Sequence, residues 1–302
     1  MPDIQLRFHK DMLVLSAPIA PVLERQGFDP DQSLEFAGLV EPEAVRDALR
    51  LNKVAGAQCL VTNTESALPA RLAHVGLEDR VQDVIDQGIA TAVSLTPQHL
   101  LVHVGPSGLP LDPSSKASLN ESRSQYARIA RMMSTKAFDA VLLGGFADAV
   151  DLKCALMGMR QVLDCPVFAS VDVRADGMLA NGRHTLEDAC AVMDEFGASV
   201  AGIRSELSIE GVLALVGRLR AATSLPAMVS LTVARNDPKQ GQATAENPYF
   251  CPDTMIEAAT RLRGGGVQFL RADGAATPAY TGALVAASEG FDVMRPDVQE
   301  NE

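Results

Sequence analysis

Residues 140–173 read AVLLGGFADAVDLKCALMGMRQVLDCPVFASVDV. The stretch opens with an apolar run at 140–145 and closes with a second at 167–173. Between them, 148–163 places Ala149, Leu152, Leu156, Met159 and Leu163 on one face of a helix. The first run carries no polar residue, as expected of a parallel strand covered on both faces. The stretch predicts a strand, a helix and a second strand parallel to the first.

The same alternation runs outward in both directions. Further strands are expected at 12–15, 59–63, 100–105, 200–204, 227–233 and 267–271, which makes eight with the two above. Helices are expected at 42–55, 78–92, 120–134, 185–196, 208–222 and 252–263. Thr185 before Glu187 and Asp188, and Ser208 before Glu210, supply capping hydroxyls and first-turn acids. Gly56, Gly197 and Gly265 stand where helices should end. Eight such units without a long linker argue for an α/β fold, a single (β/α)8 TIM barrel over residues 1–290. Residues 291–302 read as an acidic, flexible tail. An open doubly wound sheet would want a glycine-rich fingerprint after its first strand, and none is there. The polar stretch 237–249 after the seventh strand is either a lid over the catalytic face or a surface insertion.

Composition narrows the function. The chain has 302 residues and a net charge of −12, with no Lys/Arg cluster of the kind that displaces counterions from nucleic acid. No apolar run approaches the roughly 20 residues of a membrane span, and residues 1–10 offer no signal-peptide core. The five cysteines are dispersed, without metal spacing, and read as reduced thiols of a cytoplasmic protein.

Several segments, in order, resemble the homocysteine S-methyltransferase family. Residues 54–80, VAGAQCLVTNTESALPARLAHVGLEDR, are similar to its second-strand signature, "AGAD…TNTF" followed by "RL…GLEDR". Residues 20–32 (APVLERQGFDPDQ) resemble its "GTxLQRQGxDP" helix. The turn GPSG at 105–108, the stretch 146–156 and residues 274–278 match its later motifs, so the resemblance covers about residues 10–290. It implies a barrel in which one cysteine after strand six and a cysteine pair after strand eight hold zinc, which activates a homocysteine thiol. Those three positions here carry Ser205, Ala272 and Asp273. The family's "DG-MGT" turn reads SAPIAP at 16–21, and its substrate-facing "ET" reads Gly144-Gly145. No zinc is therefore expected and no metal ligands are assigned, with a different metal on Asp, His and Glu left open although no hard-ligand cluster is evident. What the resemblance still implies is a methyl donor, a corrinoid, folate or methylsulfonium compound, with a corrinoid protein as candidate partner beside a small-molecule substrate.

Barrel sites lie at the C-terminal ends of the strands. The expected catalytic group is Asp273, Arg271 and His103, with Thr62, Asn63, Thr64, Asp172, Arg204, Ser205 and Glu206 expected to bind substrate. Each has a plainer reading. His103 can be a core histidine satisfied by one hydrogen bond. The arginines 204, 271 and 174 can pair with Glu206, Asp273 and Asp172. The 62–64 hydroxyls can satisfy loop backbone. Cys251 is the one cysteine expected near the mouth, with no base identified beside it. The lysines fall on helices or loops, which argues against Schiff-base chemistry. Two functions follow: a zinc-independent methyltransferase that does not use homocysteine in the family manner, or a non-catalytic barrel that binds a corrinoid or methyltransferase partner.

Overall fold

A computed structural model describes residues 3–29, 34–235 and 242–294. Its strands are β1 (Leu13–Leu15), β2 (Cys59–Val61), β3 (His99–Val104), β4 (Ala140–Phe146), β5 (Val167–Asp172), β6 (Val200–Ser205), β7 (Ala227–Val233) and β8 (Val267–Gly274). Each pairs in parallel with the next, and β8 returns to β1, closing an eight-stranded barrel. The helices are α1 (Ala20–Arg25), α2 (Ala37–Val40), α3 (Pro42–Val54), α4 (Pro69–Leu72), α5 (Val81–Ser94), α6 (Lys116–Met133), α7 (Ala149–Arg160), α8 (Leu186–Glu195), α9 (Ile209–Ala222), α10 (Thr254–Gly264) and α11 (Pro278–Ser288). This is a single (β/α)8 barrel, as expected. The strands begin and end within a few residues of their expected bounds. β8 runs three residues further than expected, so Ala272 and Asp273 lie on the strand itself.

Strand alternation sorts the core into two layers. Val14, Leu60, Val102, Val141, Val171, Ile203, Leu231 and Leu270 face outward onto the helices. Leu13, Leu15, Cys59, Val61, Leu101, Leu142, Phe168, Met228 and Phe269 fill the floor of the barrel. The N-terminal segment plugs that floor from below. Phe8 meets Phe168 and Phe269 edge-on, with ring centroids 6.0 and 5.9 Å away. The side chain of Gln268 fixes the plug, donating to the carbonyls of Arg7 and Asp11 and accepting from the amide of His9.

Local signals hold with one adjustment. Thr185 and Asp188 form a reciprocal capping box at the start of α8. Ser208 does stand at the cap of α9, but its hydroxyl makes no capping hydrogen bond to the helix backbone. Gly265 is the C-cap of α10, as expected, and the left-handed residue follows at Gly266, φ +77°. Part of the expected lid, residues 237–241, and most of the expected tail, residues 295–302, lie outside the described residues. The start of the tail is tied down: Phe291 O accepts from Met12 N, and the amide of Val293 donates to Lys10 O.

Candidate functional site

Above the apolar floor the inward positions turn polar: His103 on β3, Ser170 and Asp172 on β5, Arg204 on β6, Ser230 and Thr232 on β7, Arg271 and Asp273 on β8. On β4 the corresponding position is Gly144, and a Cβ there would come within 2.7 Å of His103 Nε2. The glycine makes room for the imidazole. β2 also serves it: Thr62 Oγ1 accepts from His103 N at 3.0 Å, and Thr64 Oγ1 donates to His103 O at 2.7 Å. The two hydroxyls are 2.6 Å apart. Thr62 and Thr64 thus spend their hydroxyls on backbone, and the Asn63 amide donates to Leu34 O at 2.8 Å.

Arg204 and Asp172 sit opposite each other in the β5–β6 ladder and form a two-pronged pair at 2.7 and 2.5 Å. A third prong of Arg204, Nη1, lies 3.7 Å from Asp273 Oδ2. That same oxygen is 3.9 Å from Arg271 Nη1, and Arg271 Nε donates to Ser16 O at 3.2 Å. Arg271 is buried, with its side chain 5% exposed. The expected pairing of Arg271 with Asp273 is present. The other two pairings differ: Arg204 takes Asp172 and Asp273 in place of Glu206, and Arg174 takes Asp176 in place of Asp172. The ladder explains the change, since direct cross-strand neighbours face each other across parallel strands while Glu206 has already left β6 for an exposed loop.

Charge state follows from these contacts. Burial pushes the Asp273 carboxyl up, but Arg271 and Arg204, with the Gly274 amide, outweigh it and the net shift is down. Burial pulls Arg204 down, and Asp172 and Asp273 more than restore it, so it stays charged. Burial and the charge of Arg271 hold His103 well below the ordinary histidine range, which leaves the imidazole neutral. Glu65, just beyond β2, places Oε2 3.6 Å from His103 Nδ1, and burial with the negative charge of Asp273 raises its carboxyl.

Of the ten expected site residues, His103, Asp172, Arg204, Arg271 and Asp273 converge on the barrel axis. Asn63 lines a cleft of about 580 Å3 together with Glu65, Arg71, His103 and Arg271. Ser205 and Glu206 belong to a separate groove over β5–β7, where the Ser205 hydroxyl accepts from Leu207 N at 3.3 Å. A third cleft, of about 870 Å3 over β7 and β8, is lined by Glu206, Thr232, Arg235, Phe250, Cys251 and Tyr280. Glu65 was absent from the expected set although it directly follows Thr64. Its signal was that it replaces the Phe of the "TNTF" pattern with an ionisable group.

The three positions that the resemblance assigns to zinc thiolates do not form a ligand set. Ser205 is spent on its own turn, Ala272 packs outward in the helix-facing core, and Asp273 is held by two guanidinium groups. Zinc favours soft anionic thiolates. Cys59 lies in the barrel floor and Cys154 and Cys190 in the helix layer, with Cys251 in the β7–β8 cleft. Among the described residues no group of three His, Cys, Asp or Glu could hold a metal.

Comparison with known proteins matches residues 15–268 to the model of the family described as homocysteine S-methyltransferase. Methionine synthase of Mycobacterium tuberculosis is 24% identical over 279 residues, covering 88% of this chain and 23% of that protein. Methionine synthase of Mycobacterium leprae is 25% identical over 237 residues, 74% of this chain and 19% of that protein. The chain therefore spans about a quarter or less of these curated relatives. Among solved structures, the metallated form of the homocysteine methyltransferase MmuM from Escherichia coli superposes with a TM-score of 0.76 at 19% identity, covering 92% of this chain and 96% of that one. The carboxyl transferase domain of Rhizobium etli pyruvate carboxylase shares the fold more loosely, with a TM-score of 0.53 at 11% identity over 87% of this chain and 40% of that one.

Proposed function

Because the chain belongs to the homocysteine S-methyltransferase family, we propose that it transfers a methyl group at the barrel mouth without a zinc-bound thiolate and without taking homocysteine in the family manner. One observation carries this reading. Asp273, at a position the resemblance gives to a zinc cysteine, is clamped between Arg204 and Arg271. A carboxylate neutralised by two guanidinium groups has little left to offer a metal. The ion cluster instead lines the neighbouring spaces, Arg271 in the β1–β3 cleft and Asp172 and Arg204 in the groove over β5–β7.

Two clefts on one face suit a reaction with two ligands. The donor is a methyl carried on a corrinoid protein or a folate, and the acceptor is a small molecule. The acceptor atom bonds the methyl carbon while the donor–methyl bond breaks, its electron pair staying with the donor. Any proton on the acceptor leaves to a group lining the cleft, where Glu65 and His103 stand. Asp273 and Arg271 hold the charge balance around that transfer. No helix among the described residues is long and apolar enough to cross a membrane. The cysteines are all free, which supports a cytoplasmic setting.

Metal analysis of the purified protein, with binding assays for homocysteine, methylcobalamin and methyltetrahydrofolate, tests the proposal. No metal together with binding of a methyl donor supports it; stoichiometric zinc refutes it. The mutual neutralisation of Arg204, Asp172, Asp273 and Arg271 favours a second reading, a non-catalytic barrel that docks a corrinoid or methyltransferase partner. No metal and no donor binding would move the assignment there, whereas turnover unchanged in folded Asp273→Ala and Arg271→Ala variants would refute the role given to those two residues.

A further inference from the structure

Beneath the ion cluster the barrel axis encloses a small chamber bounded by His103, Gly144, Ser170, Ser230, Arg271 and Asp273, with Leu142 and Met228 below. The space open to the centre of a water molecule is about 10 Å3, close to the least that admits one water. Two buried polar atoms at its wall have no hydrogen-bond partner in the protein, His103 Nε2 and Ser170 Oγ. The His103 side chain is 6% exposed and Ser170 3%. Buried polar groups are almost always hydrogen-bonded, to protein or to an ordered water. A chamber of one-water size with two unsatisfied polar atoms on its wall meets the conditions for such a site.

We propose that this chamber binds one water molecule between His103 Nε2 and Ser170 Oγ, and that the water and Glu65 together fix the neutral imidazole with its proton on Nδ1. The Glu65 carboxylate lies 3.6 Å from Nδ1, beyond direct hydrogen-bond reach, and its negative charge favours the N–H on the nitrogen that faces it. Nε2 is then the acceptor, and the water donates to it while exchanging a hydrogen bond with the Ser170 hydroxyl. Arg271, Arg204 and Asp273 are the other charged groups around the ring; burial first, and then the two cations against the opposing Asp273, keep a second proton off it. The lone pair of His103 therefore faces the closed chamber, not the open cleft. Glu65 is the group that takes a proton from a ligand in the cleft, and His103 is a positioning residue behind it. The role of Glu65 rests on the methyl-transfer reading; the water and the tautomer do not.

Nitrogen-15 spectra of protein labelled at its histidines, at neutral pH, read the tautomer directly, with the His103 signals identified by their loss in His103→Gln. A protonated Nδ1 and an unprotonated Nε2 are expected, together with an ordered water in a crystal structure within hydrogen-bond distance of both Nε2 and Ser170 Oγ. Ser170→Ala should keep the fold, move the Nε2 resonance and weaken the water. A proton on Nε2, or no ordered density between the two atoms, overturns the proposal whatever the fate of the variant. Because neither readout depends on turnover, a failed methyl-transfer assay and a failed water site are told apart.

Discussion

Replacing Asp273 with Asn removes the carboxylate paired with Arg271 while leaving Arg204 its two-pronged bond to Asp172. Arg271 is 5% exposed, so solvent cannot stand in for the lost charge. Removing one partner of a buried pair costs about 3–5 kcal/mol. The 3.9 Å separation is looser than a direct hydrogen bond, and the Asn side chain still accepts from the Gly274 amide, so the low end, about 3 kcal/mol, is expected. At about 2 °C per kcal/mol for a large domain, the melting temperature falls by roughly 6 °C. Arg271→Met should cost less, about 1–2 kcal/mol, mainly the lost hydrogen bond to Ser16 O. Asp273 then keeps Arg204 at 3.7 Å and the Gly274 amide at 2.9 Å. In the double variant both charges leave together and the cost should fall below the sum of the singles. The pH dependence has a definite sign. The Asp273 carboxyl is depressed in the fold, so its contribution is present above the unfolded value near pH 3.9 and is lost as pH falls through the lower folded value. The gap between wild type and Asp273→Asn should be full at pH 7 and close below about pH 4. Thermal and urea unfolding followed by circular dichroism at both pH values measures all of this. If Arg271→Met costs as much as Asp273→Asn, or the two costs simply add, the three-cornered charge arrangement is wrong.

Asp151 accepts from Tyr126 Oη and Ser122 Oγ at 3.1 and 3.3 Å, and burial pushes its carboxyl up to about 6. A raised carboxyl stabilises the fold while protonated and loses that contribution as pH climbs, so wild type should fall behind Asp151→Asn between about pH 4 and 6; a pH-independent difference in urea midpoint would contradict this. Thr185→Ala removes the capping box of α8 and should cost about 1 kcal/mol in the same unfolding assay. Phe8→Ala opens the floor plug and should cost about 2 kcal/mol, below the fully buried range because Phe8 is only partly buried. Ligand binding at the opposite end should be unchanged, and a matching loss of binding would show that the floor and the mouth are coupled.

The barrel was legible because its strands are apolar runs and most of its helices are amphipathic. α11 escaped the reading: AYTGALVAAS at 279–288 is apolar on nearly every side, so it shows no helical period. At the site, residue types were legible but directions were not. The β4–β5 and β7–β8 pairings each carry a register irregularity, with the extra residue on β4 between Leu143 and Phe146 and on β8 at Gln268, and counting inward positions along β4 and β8 from their first residue misleads. The cross-strand partner of Arg204 could not be found from sequence neighbours, since it lies 32 residues away on β5. Glu65, at the strand end beside Thr64, was given no role for a related reason: it sits beyond β2, and only the fold of the loop turns its carboxylate back toward His103.

The pairing of Met12 with Phe291 and of Val293 with Lys10 brings the two ends of the barrel side by side at its floor. A short linker could join them, and fresh ends could be cut in a surface loop such as that between β5 and α8, giving a circular permutant with the same barrel. Tethered through either end of the barrel, the molecule would also stand on a surface with its mouth pointing away, ready to be probed by soluble carriers too bulky to reach a face lying against the support.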